Sequence, residues 1–382
     1  MLARLSAFLC SFFMMLLLTA CSSMFSSDES APPSFDMGNT TTTKSGALAP
    51  TSPRQIALLL PLQGNLGDAG KAIQAGFNDA YQKSAVKPDI KIYDTADDAH
   101  NDIHALYDKA VSDGANYVIG PLDKTKVATL EHHPNIHTIT IALNNPDTSS
   151  YNPNLYEFAL SPTDEAKQIA DKASKAGYSK ALMITPAGSW GQNIANTLQK
   201  RFQNNGGVIV GTMIVDNDNN LNIQIRNLLE VQGDTQRQDF DVIFMVVQPI
   251  FARKIKPLLK YYHLDNTPVY GTSLIYSGLL SPEKDQSLNG VEFCDTPLTI
   301  ASQGQWAALR QEALLAQPMN IQRYIRLYGL GYDAALLTQN FSQLSKGLSG
   351  STGFLSVDQH NDIVRKLNFA TFENGLPQPI NH

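Results

Sequence analysis

Short, wholly apolar runs alternate along this chain with longer segments whose apolar residues recur every three or four positions. The first run is Ile56-Ala57-Leu58-Leu59-Leu60, closed by Pro61. Five consecutive apolar residues leave no polar face for water, so the run needs cover on both sides, as a parallel strand between helices has. Glycines at 64, 67 and 70 make a turn, and residues 69–83 then carry Ala72, Ile73, Gly76, Phe77, Ala80 and Tyr81 at helical spacing. A strand over 90–93, a helix with Ile103, Leu106, Tyr107 and Ala110, and strands over 117–120 and 138–143 continue the series. This βαβ alternation predicts a parallel sheet flanked by helices.

A second series is expected from residue 156. It has a strand over 156–160, then a helix opened by Ser161-Pro162-Thr163-Asp164-Glu165, with a hydroxyl N-cap, a first-turn proline and two acids facing the dipole. Strands at 181–185, 208–215 and 241–247 alternate with helices at 190–204, 221–231 and 249–262. Further on come a strand over 269–274, a long amphipathic helix over 321–344, and a hairpin in which 353–357 and 366–372 flank Asp358-Gln359-His360-Asn361. The expectation is an α/β fold of two lobes. Lobe 1 takes 54–155 and 268–320, and lobe 2 takes 156–267 and 321–382, with crossovers near Tyr156, Val269 and Ile321. Hydrophobic residues make up 43% and charged ones only 17%. Such a chain can fill two cores, which excludes wholesale disorder.

Residues 1–20 stand outside this pattern. Arg4 is their single charge, and the apolar run from Leu5 to Leu18 is too short for a comfortable membrane span, so it reads as a secretory signal. It ends Leu18-Thr19-Ala20-Cys21, which resembles a bacterial lipobox. Cleavage would then leave an acylated Cys21 as the first residue. The alternative is an ordinary signal with a cysteine there by chance. Residue 22 is Ser, not the Asp that retains similar lipoproteins in the inner membrane, so the expected address is the outer membrane, facing the periplasm. Residues 22–53 are rich in Ser, Thr, Pro, Gly and Ala and read as a flexible tether.

The net charge is -6, and no basic footprint for nucleic acid exists at whole-chain level. Three cysteines exclude a disulfide scaffold and a multi-thiolate zinc site, and Cys294 reads as a buried, inert thiol. The glycines at 64, 67 and 70 miss the dinucleotide spacing by one residue, and Asn65 and Ala72 break a P-loop. His100 and His104 are one turn apart, but Asn101 replaces the general-base Glu of a zincin; Pro134 interrupts the similar pair His133 and His137. Ser189 and Ser273 lack the glycine frame of a nucleophile elbow. No catalytic set, metal site or cofactor is expected.

Residues 54–375 resemble the LppC/LpoA family of penicillin-binding-protein activators. The resemblance rests on Leu59-Leu60-Pro61-Leu62 with Gly76-Phe77, Tyr93-Asp94-Thr95, Gly120-Pro121-Leu122 and Ala142-Leu143-Asn144. It continues through Leu160-Ser161-Pro162 with Asp164-Glu165-Ala166, Trp190-Gly191, Tyr270-Gly271-Thr272-Ser273, Tyr276-Ser277-Gly278 and Phe293-Cys294-Asp295. Arg326-Leu327-Tyr328, Gly331-Tyr332-Asp333-Ala334, Gly350-Ser351-Thr352-Gly353 and Leu355-Ser356-Val357-Asp358 complete it. The resemblance implies a fold like that of type 1 periplasmic binding proteins. It also implies an outer-membrane lipoprotein that stimulates a class A penicillin-binding protein, a peptidoglycan synthase, without catalysis. Longer members carry a helical-repeat region between anchor and domain; here the stretch 22–53 stands in its place.

In that fold the strand ends face a cleft. The residues placed there are Gln63, Asn65, Asn144, Asn145, Ser189, Trp190, Gln248, Ser273 and Tyr276. Trp190 is either a platform in the cleft or a buried aromatic at a helix start. Gln63, Asn65, Asn144, Asn145, Ser189, Gln248 and Ser273 are polar and mostly uncharged, which keeps a second reading open: a solute-binding lipoprotein for a small polar ligand such as an amino acid.

Overall fold

The computed structural model describes residues 48–96, 102–146, 152–316 and 318–380. The signal, Cys21 and residues 22–47 of the tether lie outside the described residues, as does His100.

In strand β1 (Gln55–Leu60), Ile56, Leu58 and Leu60 face one core while Ala57 and Leu59 face another. This two-residue period explains the unbroken apolar run: both faces of the strand are covered. The sheet continues with β2 (Asp89–Asp94), β3 (Tyr117–Ile119), β4 (Ile139–Ala142) and β5 (Leu155–Glu157), all parallel, in the order β2-β1-β3-β4-β5. Helix α1 (Gly67–Gln82) covers the face of Ile56, while α2 (Ile103–Ser112) and α3 (Lys124–Glu131) cover that of Ala57.

The second sheet repeats that order. After α4 (Pro162–Lys175) come β6 (Lys180–Pro186), α5 (Gly188–Asn204), β7 (Val208–Val215), α6 (Leu221–Leu228), β8 (Val242–Met245), α7 (Pro249–Tyr261), β9 (Val269–Gly271), the short α8 (Pro282–Asp285) and β10 (Val291–Asp295). The strands run β7-β6-β8-β9-β10 in parallel. Leu182 and Ile184 face α6 and α7; Ala181 and Met183 face α4 and α5. The chain then passes through α9 (Pro297–Ile300) to α10 (Gln305–Ala316) and α11 (Pro318–Asn340). It next forms a three-stranded sheet of β11 (Leu348–Ser349), β12 (Phe354–Val357) and β13 (Ile363–Lys366). Finally β14 (Asn368–Glu373) and β15 (Leu376–Pro379) return to the second sheet as antiparallel strands beyond β10, with β15 at the edge.

The two-lobed α/β architecture stands, but three expected boundaries move. Residues 155–157 extend the first sheet and do not open the second, because β5 pairs with β4. Strands β9 and β10 belong to the second sheet, because each bonds in register to its neighbour there. Helix α11 and the small sheet pack on the first lobe: Leu330, Ala334 and Leu337 join Ile73 and Phe77 in one core, and an isolated bridge ties Asp362 to Glu157 of β5. The crossings therefore fall at about 158–161, 296–304 and 367. The expected hairpin exists, but β12 pairs with β13, and residues 368–373 cross to the other lobe.

Two glycines set the approach of α1 and α11. A Cβ on Gly76 would lie 1.9 Å from the Tyr328 carbonyl oxygen, and one on Gly331 would lie 1.9 Å from that of Ile73. The two helices touch backbone to backbone, which no larger residue permits. Gly70 serves a similar end, since a Cβ there would lie 1.9 Å from the oxygen of Pro61. The glycines after β1 seat a helix against the end of its strand. Helix α1 already begins at Gly67, inside the segment expected to be a turn.

Candidate functional site

The base of the cleft is built where the chain crosses between lobes. Arg326 lies in α11, two residues past Tyr324, whose backbone (φ -124°, ψ 31°) breaks the helix. Its guanidinium reaches out of the first lobe to Asp295, the last residue of β10. Nε donates to Oδ1 at 2.9 Å and Nη2 to Oδ2 at 2.5 Å. Nη2 also donates to the carbonyl oxygens of Ser273 (3.1 Å) and Tyr276 (2.9 Å). Burial disfavours the Arg326 charge, but the paired Asp295 carboxylate more than offsets it, so the pKa is raised.

Around this pair runs a connected polar network. Glu165, in the first turn of α4, accepts the Ser273 N–H at 3.0 Å and lies 3.9 Å from Arg365 of β13. Burial raises the Glu165 pKa, opposed by the Arg365 charge. Burial lowers that of Arg365, opposed by Glu165. Arg365 donates to the carbonyls of Ala159 (2.9 Å) and Thr352 (3.2 Å). Asp333, wholly buried in α11, accepts the N–H groups of Ser351 (2.6 Å) and Thr352 (2.7 Å) and the Thr352 hydroxyl (2.5 Å). All three crossings meet this network, through Ala159, Asp295 and Arg365.

Above it lies a cavity of about 80 Å³ lined by Leu160, Pro162, Glu165, Trp190, Ile194, Thr272, Ser273, Leu274, Thr296 and Arg326. Of the nine residues placed in the cleft from sequence, only Trp190 and Ser273 line it. Trp190 is 49% exposed, so it is not the buried helix-start aromatic of its second reading. Gln63 is exposed and donates to Asp94 at 3.2 Å. Asn65 is exposed in the turn Gly64–Leu66. Asn144 donates to the Leu122 carbonyl (3.0 Å) and accepts the Asn145 N–H (2.9 Å). Ser189 and Gln248 are exposed at the starts of α5 and α7.

Tyr276 is a correction. It is 1% exposed and packs with its ring centroid 5.6 Å from those of Phe293 and Phe372, inside the second lobe. Its apolar ring follows the neighbouring Ile275 into the core, and its hydroxyl has no partner among the described residues. Cys294 is wholly buried, and burial raises its thiol pKa well above the ordinary value. His104 meets His133, with ring centroids 4.8 Å apart, and His133 pairs with Asp108. No group of metal-binding side chains occurs among the described residues.

Sequence reading does not place these charged residues in the cleft: Glu165 is expected only as a first-turn acid facing the helix dipole, and Asp295, Arg326 and Asp333 only within the motifs of the family resemblance. A signal was present. Arg326 and Asp333 lie four residues before and three after Leu330, and Glu165 lies four before Ile169, so all three sit on apolar stripes.

Two α/β lobes, crossed three times and joined by a buried ionic network, define a fold like that of the periplasmic binding proteins. The fold is shared with a leucine-binding protein from Thermotoga maritima, with a TM-score of 0.54 at 13% identity, covering 86% of this chain and 98% of that one. The chain belongs to the family described as "LppC putative lipoprotein", which matches residues 40–375. It is similar to the penicillin-binding protein activator LpoA of Yersinia pseudotuberculosis, 26% identical over 422 residues, covering 89% of this chain and 63% of that relative. The chain thus spans a little under two thirds of that relative's length. It is also similar to the C-domain of LpoA from Haemophilus influenzae, a structure described as a regulator of PBP1A. That match has a TM-score of 0.70 and 26% identity, covering 86% of this chain and all of the other. No described helix is long and apolar enough to cross a membrane.

Proposed function

We propose that this chain is a non-enzymatic regulator of peptidoglycan synthesis. In this reading it is an outer-membrane lipoprotein, held by acylated Cys21, that binds a class A penicillin-binding protein from the periplasmic side and activates it. The observation that carries the reading is the state of the cleft base. Glu165 and Arg326 are the charges that would seize an amino-acid zwitterion, and both are committed to the protein itself, Glu165 to Ser273 and Arg326 to Asp295. The space above them, about 80 Å³, is well below the ~300–1,000 Å³ of ordinary ligand pockets. The two-lobed frame therefore serves better as a rigid docking body than as a solute trap.

Activation without chemistry requires tighter binding to the active conformer of the partner than to the inactive one. A tenfold shift needs about 1.4 kcal/mol of differential affinity, within reach of a modest interface. The test is binding to purified class A synthases and the rate of glycan cross-linking, with and without an excess of amino acids. Stimulated cross-linking that ignores the amino acids supports the reading. No synthase binding alongside tight binding of a solute replaces it with the transporter-receptor one.

A further inference from the structure

A second concavity, apart from the cleft, lies between α4 and the β13–β14 crossing. It is an open groove of about 940 Å³. Val364, Leu367 and Phe369 supply its apolar part. Five accessible basic side chains and two acidic ones line it, with the buried Arg365 behind them, an accessible excess of three positive charges on a chain whose net charge is -6. Such segregation of charge marks a surface built to attract an anion.

Several of the cations are already engaged. Lys167 pairs with Asp164 at 2.8 Å, and Arg201 grips Asp171 with bonds of 2.6 and 2.8 Å. Arg365 points inward to the hinge network, and Lys172 lies 5.3 Å over the Phe369 ring. Lys175 and Lys366, at the ends of α4 and β13, are exposed and form no ion pair with any described residue. The backbone of β13 is occupied as well. Gln168 donates to the Arg365 carbonyl (3.0 Å) and accepts the Leu367 N–H (2.9 Å), so the strand edge is closed to an added strand.

We propose that this groove docks an acidic segment of a partner protein, recognised through its side chains. Cations spread along apolar side chains suit carboxylates spaced along an apolar strip; a small anion would call instead for a compact cluster of donors. Because the walls come from the second-lobe helix α4 and from β13 of the small sheet, the occupant touches both sides of the crossing at Leu367. This deepens the function proposed above and rests on its premise that the partner is a protein.

The experiment uses the full chain and the double variant Lys175→Glu/Lys366→Glu. Both positions are exposed, and thermal unfolding checks that the variant folds. The probe is a fluorescein-labelled peptide in which glutamates flank leucines, with its glutamine analogue as control. The expected result is anisotropy binding of the glutamate peptide only, weakened by salt and by roughly tenfold in the double variant. Unchanged binding by the variant, equal binding of the glutamine analogue, or affinity for phosphatidylglycerol vesicles without affinity for the peptide each overturns the groove assignment. Synthase binding is measured in parallel. A synthase that binds wild type and double variant equally leaves the activator reading intact and removes the groove from it. Peptide binding at the groove with no synthase binding does the reverse.

Discussion

Arg326 and Asp295 lie on different lobes and are joined by two hydrogen bonds of 2.9 and 2.5 Å, with the Asp295 side chain wholly buried. Removing the arginine strands a carboxylate in the protein interior. Arg326→Met is expected to destabilise the fold by about 3–5 kcal/mol, the usual cost of breaking a buried pair on one side. Arg326→Met/Asp295→Leu should recover part of that loss, because the orphan charge is gone. Urea unfolding of the two variants measures both. A single variant as stable as wild type would show that the pair does not hold the lobes.

Gly331→Ala is expected to cost at least the roughly 1–3 kcal/mol of an overpacked core. The added methyl would meet a backbone oxygen 1.9 Å away, and backbone cannot swing aside as a side chain can. Gly76→Ala should cost a similar amount, and the double variant less than the sum, since one separation of α1 from α11 relieves both clashes. Thermal unfolding of the three variants checks this.

Glu165 carries a pH signature. Burial raises its pKa in the folded state above the unfolded value of about 4.3. Below the unfolded value both states hold the proton, and the group contributes no pH dependence. As pH rises through the folded value, the unfolded chain has already released a proton that the fold retains, so stability falls. Glu165→Gln keeps an acceptor for Ser273 and does not titrate. The stability of wild type relative to this variant should therefore decline with rising pH. A difference that stays flat from pH 4 to pH 8 would contradict the burial assigned to this carboxyl.

The legible and illegible parts of this chain divide along physical lines. Strands such as β1, buried on both faces, announced themselves as unbroken apolar runs, and α1 by its period. Lobe membership did not, because β9 and β10 read alike whichever sheet they join; pairing partners are decided by contacts distant in sequence. Among the cleft residues, Ser273 is legible from its place just past β9, and Trp190 from the first turn of α5, the helix that follows β6. Tyr276 fails because an aromatic three residues past Ser273, beyond a single turn, is pulled into the nearest core. Glu165, Arg326 and Asp333 sit on apolar stripes, but the partners that hold their charges are distant in sequence, and no local pattern names them.

Cys21 lies outside the described residues, and its role is tested in cells. Cys21→Ala is expected to release the protein from membranes or to leave it uncleaved, since acylation and processing both need the thiol. Detergent partitioning and the mass of the processed chain decide it. A variant processed and partitioned as wild type would remove the lipid anchor from the proposed function.

The cleft offers a sharper choice between activator and solute receptor. A receptor with a micromolar ligand, assayed at millimolar concentration, would gain about 4 kcal/mol of stability by mass action. On a domain of this size that is a rise of several degrees in Tm. The expectation is no shift with any common amino acid, because the charges at the cleft base already hold Ser273 and Asp295. Ser273→Val extends the same test. The backbone N–H and carbonyl of Ser273 make the bonds to Glu165 and Arg326, so the substitution keeps them while filling part of the cavity. Synthase stimulation by Ser273→Val should match wild type. A several-degree shift with one amino acid, abolished by Ser273→Val, would show that the cleft opens to bind a solute and that the Arg326–Asp295 contact is one state of a moving hinge.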